Sequence, residues 1–100
     1  MYVTMRRYEG VDIAAIRHTA QSRDAGEGLA PLISEIPGFV AYYLVDVGNG
    51  SAVAISIYLD EAEANVSTDL ALQWVKENLS SVIPNPPEII AGDVIVHRTA

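Results

Sequence analysis

The sequence predicts an α+β domain with an antiparallel sheet, in the element order β-α-β-β-α-β. Two apolar runs between Pro37 and Asp60 flank the turn Gly48-Asn49-Gly50, a pattern typical of a β-hairpin. One strand and one helical region precede this hairpin, and one helix and one strand follow it. This order is that of the ferredoxin-like arrangement, in which both helical regions cover one face of the sheet.

The first half of the chain predicts a strand followed by an interrupted helical region. Residues 2–8 are rich in β-forming side chains and predict the first strand. Asp12 is a predicted helix cap, and apolar residues then recur at helical spacing until Gly26 and Gly28 interrupt them. A second helical piece carries Pro31 in its first turn, where a missing N–H costs little. The region is therefore either two helices or one helix with a kink.

The two hairpin strands differ in the composition of their faces. Strand two, residues 39–47, is apolar on both faces, which predicts that both are covered. Strand three, residues 52–59, has one aliphatic face and one smaller, more polar face. The aliphatic face contains Val53, Ile55, Ile57 and Leu59, and the mixed face contains Ala54, Ser56 and Tyr58. We expect the aliphatic face to lie under the helices and the mixed face to meet water, a partner subunit or a ligand.

The second helix begins in an acidic segment. Asp60 is its predicted cap, because an acid at this position complements the helix dipole. Its apolar side continues through Val66 and Trp74 at helical spacing. Ser67 would cap the helix anew if the chain breaks near Asn65.

A proline-rich connector and a final strand close the chain. Residues 84–87 carry three prolines and predict a stiff connector. Residues 89–98 predict the last strand, with Gly92 as a bulge or a point of close approach.

Composition bounds the class of protein. The 100 residues are 50% apolar and only 19% charged, which predicts one domain over residues 1–100 and a second apolar surface buried in a homodimer. The net charge of -7, without a basic cluster, predicts no binding to nucleic acid or anionic membranes. Without cysteine there is no disulfide or thiolate metal site. Neither a membrane span nor a signal-peptide pattern is found, so we expect a cytoplasmic protein.

Several short segments together resemble one known family. They are Pro37-Gly38-Phe39 with Tyr42-Tyr43, Ile55-Ser56-Ile57-Tyr58, Trp74-Val75 and Ala91-Gly92-Asp93-Val94. With the element order, these segments resemble the antibiotic biosynthesis monooxygenase-like family. The resemblance implies a dimeric α+β barrel, in which two sheets face each other and the space between sheet and helices holds a small organic molecule.

The same resemblance bears on activity and cofactors. The family includes cofactor-independent oxygenases, heme-degrading enzymes and members of unknown role. Its heme-degrading branch uses an Asn on the first strand with a Trp and a His. Here the first strand has no Asn and the helix of Trp74 has no His, so this branch is not expected. We expect no cofactor, and the resemblance transfers no catalytic residue.

Five residues are candidates for a ligand site: Phe39, Tyr42, Tyr58, Trp74 and His97. We expect such a site between the sheet and the helical layer, near the helical break at Gly26 and Gly28. Trp74 and Phe39 would be its apolar walls, and a tyrosine hydroxyl or a histidine would orient the ligand. The alternative is that the two glycines only shape a surface turn.

The aromatic and basic candidates also have structural explanations. Trp74 suits a core position. Tyr42 or Tyr43 would share with Tyr58 the face opposite the helices, where dimer packing explains them as well as a ligand does. Arg6 is interpreted as a solvated charge at the sheet edge rather than as a cation near the site.

The histidines do not predict a metal site. His18 is interpreted as an exposed helix residue rather than a catalytic base. His97 shares a strand face with Asp93 and either points into the barrel or lies on a frayed surface.

Two functions stay open. One is a cofactor-independent oxygenase acting on a small aromatic or polycyclic molecule, and the other is a non-catalytic small-molecule-binding or assembly protein.

Overall fold

The computed structural model describes residues 1–16 and 29–100. The elements in these ranges are β1 (Tyr2–Tyr8), α1 (Leu29–Ser34), β2 (Phe39–Gly48), β3 (Ser51–Tyr58), α2 (Glu61–Asn78) and β4 (Glu88–Asp93). The strands form one antiparallel sheet in the order β2-β3-β1-β4. The predicted ferredoxin-like α+β fold is therefore confirmed. No helix in the described ranges is long and apolar enough to cross a membrane.

The hairpin turn has the geometry that its residues favour. Asn49 and Gly50 have positive φ angles of 55° and 73°, and they lie between the paired residues Gly48 and Ser51. A two-residue loop with positive φ at both positions is a type I′ turn, whose twist matches that of the flanking strands. The predicted hairpin is confirmed.

Side-chain caps begin the helical segments at the predicted places. Asp12 Oδ1 accepts a hydrogen bond from the backbone N of Ala15 at 3.0 Å. Asp60 Oδ1 accepts one from the backbone N of Glu63 at 3.1 Å, at the start of α2. Since α2 continues for 18 residues, the alternative in which Ser67 caps it anew is wrong.

The junction between α1 and β2 depends on a glycine. Gly38 has φ +83°, and a Cβ at this position would collide with the carboxyl group of Glu63. The carbonyl O of Gly38 accepts a hydrogen bond from the backbone N of Leu59 at 2.8 Å. The Pro-Gly-Phe segment thus has a physical reason, because only glycine combines this φ with this close approach.

The sheet turns its small-residue face to the helices, so the predicted orientation of β3 is wrong. The buried residues of this strand are Ser51, Ala52, Ala54, Ser56 and Tyr58. The aliphatic side chains of the other face are partly exposed, and Leu59 beyond the strand is 64% exposed. Short side chains on β3 leave room for large ones from neighbouring strands, and that complementarity is not visible within β3 alone.

The helix α2 buries a stripe of mostly small residues that overlaps the predicted apolar side only at Val75 and, in part, at Leu70. Its buried residues are Ala64, Ser67, Ala71 and Val75. Val66, expected on the buried side, is 55% exposed. Small side chains on both surfaces allow close packing of helix on sheet.

The last strand is shorter than predicted. It ends at Asp93, whose partner Tyr2 is the first residue of β1, so no strand remains for residues 95–98 to pair with. Gly92 pairs in register with Val3, and nothing described lies within 4 Å of a Cβ built on it. Neither a bulge nor a close approach is therefore present there.

Two apolar clusters fill the described interior. One contains Tyr8, Val11, Ile16, Ala52 and Ala54, and the other contains Ile33, Tyr58, Ala64 and Ala71. Tyr42 packs against both. A small domain usually has one contiguous core, so the region where these clusters meet is of interest for function.

Candidate functional site

Polar side chains occupy the middle of the interior. Thr4 and Tyr42 both pair with Ser56, across the β1–β3 and β2–β3 ladders. Paired residues of antiparallel strands project to the same face, so the three form one row across the sheet. Arg6 on β1 is buried on the same face of the sheet, and Ser67 on α2 is buried near the hydroxyl of Tyr58. We name Thr4, Arg6, Tyr42, Ser56 and Ser67 the interior polar layer.

Arg6 is the most unusual member of the interior polar layer. It is only 1% exposed, because β1 is a central strand and position 6 faces the helices. Its strand partner Ala54 is small, which leaves room for a long side chain. The interpretation of Arg6 as a solvated edge charge is therefore wrong.

The hydrogen bonding of Arg6 is incomplete. Nη2 donates to Ser56 Oγ at 3.5 Å, which is a long and weak hydrogen bond. Nε and Nη1 are buried and have no partner among the residues described. The ion pair seen in residues 1–16 and 29–100 joins Arg7 to Glu9 on the surface, at 3.2 Å, and does not involve Arg6.

Two hydroxyl groups of the interior polar layer are also unpaired. Thr4 Oγ1 is buried without a hydrogen-bond partner in the described part of the chain, and Ser67 Oγ lies near the Tyr58 hydroxyl but makes no hydrogen bond of normal geometry there. Leaving a buried donor or acceptor unsatisfied costs about 1–3 kcal/mol, and such groups are rare in folded proteins. Several such groups make the interior polar layer the candidate site of this structure.

The tyrosines around this layer are held as neutral phenols. Burial raises the pKa of Tyr8 and Tyr42 above the ordinary 10.0, and the positive charge of Arg6 opposes the shift. Burial likewise raises the pKa of Tyr58, and the nearby Ser67 hydroxyl and the charge of Arg6 lower it by less. The hydroxyl of Tyr58 donates to the carbonyl O of Ile33 at 2.7 Å. The interior thus combines one fixed positive charge with phenols that keep their protons at neutral pH.

Three of the five sequence candidates lie on the helix-facing side of the sheet. Phe39 pairs with Tyr58, and their rings meet edge to face at 5.8 Å and 74°. Tyr42 lies in the interior polar layer, whereas Tyr43 points to the outer face and is 55% exposed. The expectation that Tyr58 and a β2 tyrosine lie opposite the helices is wrong, because β3 turns its mixed face inward.

The other candidates lie away from this layer. Trp74 on α2 is partly exposed and belongs to neither apolar cluster of the described residues. His97 and Asp93 are exposed, His97 beyond the end of β4. Ligand roles for Trp74 and His97 stay predictions. His18 and the break at Gly26 and Gly28 lie outside the described residues.

The donor set suits an anion or a polar organic group better than a metal. Guanidinium and phenol N–H and O–H groups donate, whereas metals need acceptor atoms. In the described ranges, no group of three or more His, Asp or Glu side chains is placed to hold a metal ion.

Sequence reasoning missed Thr4 and Ser67 and misjudged Arg6. The sequence of β1 contains a signal, because side chains alternate between the two faces of a strand. Thr4, Arg6 and Tyr8 share one face, and Val3 and Met5 share the other. Had the small face of β3 been placed inward, its partners on β1 would have been recognised as buried.

Comparison with known proteins gives structural matches only. No family model and no curated protein matches the sequence. The structure is similar to a protein of unknown function from Nitrosomonas europaea, with a TM-score of 0.74, 17% identity, and coverage of 99% of this chain and 93% of that chain.

Two further matches were solved with ligands bound. The ActVA-Orf6 monooxygenase of Streptomyces coelicolor, in complex with nanaomycin D, has a TM-score of 0.70 and 21% identity over 99% of this chain and 91% of that chain. The heme-degrader MhuD of Mycobacterium tuberculosis, with two hemes bound, has a TM-score of 0.66 and 14% identity over 99% of this chain and 100% of that chain. The chain therefore has the fold of the antibiotic biosynthesis monooxygenase-like proteins, as the sequence resemblance implied.

Proposed function

We propose that this protein binds a small aromatic or polycyclic molecule between sheet and helices and oxygenates it without a cofactor. The interior polar layer carries the proposal, because its buried donors at Arg6, Thr4 and Ser67 lack partners among the described residues. The rings of Phe39 and Tyr58 lie on the same side of the sheet. A flat apolar ligand with an oxygen substituent complements both features.

The structural neighbours support a ligand of this kind. A monooxygenase and a heme-degrader with this fold were solved with nanaomycin D and with hemes. Both ligands are flat polycyclic molecules, so the fold accommodates such shapes in other proteins.

The reaction class is oxidation of a phenol to a quinone by O2. One oxygen atom forms a new C=O bond on the ring, and the other leaves as water. The hydrogens of that water come from the ring C–H and the phenol O–H. The substrate supplies all four electrons, so no external reductant is required. Donors such as Arg6 and the neutral Tyr42 would stabilise the substrate phenolate in a site that excludes water.

The second candidate is a non-catalytic binding protein. The observation that favours it is that no His, Asp or Glu is among the buried residues of the described ranges. Glu63 is half-buried, and its buried Oε2 atom lies beside Gly38 at the start of α2. Such an interior has no obvious base to remove a substrate proton. The same ligand site would then only sequester or carry its ligand.

We also propose that the protein is a cytoplasmic homodimer that does not bind nucleic acid. Its apolar outer sheet face supports the dimer, and its charge of -7 is unfavourable for phosphate backbones. A titration with DNA and RNA at physiological ionic strength checks the last point, and salt-sensitive binding would contradict it.

Oxygen uptake with a panel of phenols tests the enzymatic proposal. For at least one compound we expect uptake of O2, with a quinone and water formed from 1-naphthol or anthrone, or a hydroxyquinone and water formed from a hydroquinone. Arg6→Met should abolish uptake, and Arg7→Met, on the outer sheet face, should not. Saturable binding without uptake identifies the non-catalytic protein, and the absence of both contradicts the proposed site.

A further inference from the structure

We infer that the interior site selects ligands bearing an acidic group and that Arg6 is the residue that recognises its negative charge. This inference rests on the proposed binding function and names the chemistry of its ligand: a small aromatic carboxylate, or an enol or phenol acidic enough to be an anion at neutral pH.

The first step concerns the charge of Arg6. A guanidinium in a protein is always protonated, and Arg6 is buried to 1% exposure. Burial of a charge costs several kcal/mol unless an opposite charge and hydrogen bonds compensate for it. Among residues 1–16 and 29–100, Arg6 has neither an ion-pair partner nor a full set of hydrogen bonds. An anionic ligand supplies both.

The second step concerns direction. Nη2 of Arg6 is directed to Ser56, while Nε and Nη1 are buried without a partner. Nη2 has two N–H groups and Ser56 takes one of them, so the other N–H and the adjacent unpaired nitrogen form a pair of parallel donors. Such a pair matches the two oxygens of a carboxylate or of a hydroxyquinone anion, which Arg binds in a fork-like geometry. Ser56 therefore holds one edge of the guanidinium and leaves the other edge for the ligand.

The third step concerns the neighbours of Arg6. Thr4 and Ser56 form the adjacent row on the sheet, and their hydroxyls donate to anions without adding charge. The acidic residues that the strand register places on the same side, Asp46 and Asp93, are exposed at the sheet margins. The positive charge also reaches the surrounding phenols, since Arg6 opposes the upward pKa shifts of Tyr8 and Tyr42. Arg6 is thus the charged side chain of the interior polar layer, within an acidic protein.

Matched pairs of acidic and neutral probes test the inference. The pairs are 2-naphthoate with 2-naphthamide, and 2-hydroxy-1,4-naphthoquinone with its methyl ether. We expect the anion of at least one pair to bind tenfold or more tightly by calorimetry, since a hydrogen bond to a charged group contributes about 1.5–3 kcal/mol. The two pairs distinguish a carboxylate from an enolate ligand.

Three variants separate charge recognition from folding. Arg6→Met should remove the preference for the acid while leaving the affinity for the neutral probe within about threefold. Arg6→Lys should retain only part of the preference, because lysine keeps the positive charge but cannot donate two parallel hydrogen bonds. Arg7→Met should behave as the unmodified chain. Circular dichroism of each variant establishes that it is folded.

The outcomes are distinct. Equal affinity for both members of each pair, or an acid preference that survives Arg6→Met, overturns the inference and leaves the binding function standing. No binding of any probe, together with no oxygen uptake from phenols, contradicts the proposed function as well.

Discussion

At the scale of single residues, Arg6 couples stability to function. Because its charge is buried without full compensation, we expect Arg6→Met to raise the free energy of unfolding of the ligand-free protein by about 1–4 kcal/mol. Arg7→Met, on the same strand but exposed, should change it by no more than about 0.5 kcal/mol. Urea unfolding of the three proteins checks this. A large loss of stability in Arg6→Met would mean that the guanidinium is compensated within the fold.

Unlike Arg6, Tyr58 stabilises the fold, because its hydroxyl has a hydrogen-bond partner. Its hydroxyl donates to Ile33 O and ties β3 to α1. Tyr58→Phe removes this hydrogen bond, while the carbonyl O of Ile33 keeps the one from the backbone N of Ile36, so we expect a loss of about 0.5–1.5 kcal/mol. Thermal or urea unfolding measures it. Tyr43→Phe, on the exposed outer face, is the matched control and should change little.

The buried phenols predict a dependence of stability on alkaline pH. Burial raises the pKa of Tyr42 above 10.0, so the folded state holds this proton more tightly than the unfolded chain. Its contribution is complete below pH about 10 and is lost as pH rises through the folded pKa. Unfolding free energies measured across this range should fall less steeply in Tyr42→Phe. An identical slope in both proteins would refute the assignment.

At the scale of elements, local signals were reliable because they act within a few residues. The Asn49-Gly50 turn and the caps at Asp12 and Asp60 occur where they were predicted. Each depends on a backbone angle or a hydrogen bond over at most three residues. The end of β4 at Asp93 was not predictable in this way, because it depends on where β1 begins.

The cap of α2 gives a prediction of its own. Asp60→Ala removes the acceptor for the backbone N of Glu63, so we expect a loss of about 1 kcal/mol. Asp60→Asn keeps an oxygen acceptor and is the matched control, with a loss of at most a few tenths of a kcal/mol. Chemical denaturation compares the two. Equal losses would show that the charge, and not the hydrogen bond, is what matters.

The faces of β3 and α2 show where element-level reasoning fails. Hydrophobicity alone placed Val53, Ile55 and Val66 inward, yet the structure buries alanines and serines. The choice depends on Arg6 and the tyrosines of other strands, whose bulk needs small partners. Information of this kind is tertiary, so a single strand or helix does not contain it.

At the scale of the whole molecule, element order predicted the topology but not the site. The sheet order β2-β3-β1-β4 follows from β-α-β-β-α-β with right-handed crossovers. A ligand site was expected between sheet and helices, and the interior polar layer, where we propose that site, lies in the same region. The residues of this layer could not be predicted from element order, because Thr4 and Ser67 are common residue types whose burial becomes evident only when the strands are paired.

The outer sheet face carries the last prediction, which concerns assembly. With the mixed face of β3 turned inward, aliphatic residues of the sheet and Tyr43 lie together on its other side. They are Val3, Met5, Tyr43, Val45, Val53, Ile55, Ile57 and Ile90. Contiguous apolar surfaces of this kind mark interfaces, and a homodimer buries about 800 Å² per partner. Sedimentation velocity at micromolar concentration should therefore show a dimer.

A lysine at the centre of this face separates dimerisation from folding. Ile55 pairs with Met5 on one side and Tyr43 on the other, so Ile55→Lys places a charge in the middle of the proposed interface. We expect this variant to sediment as a folded monomer, because the side chain already reaches solvent in a single chain. Val66→Lys, at an exposed apolar position on α2, should remain a dimer. A monomeric unmodified chain, or a dimer that survives Ile55→Lys, would place the second apolar surface elsewhere.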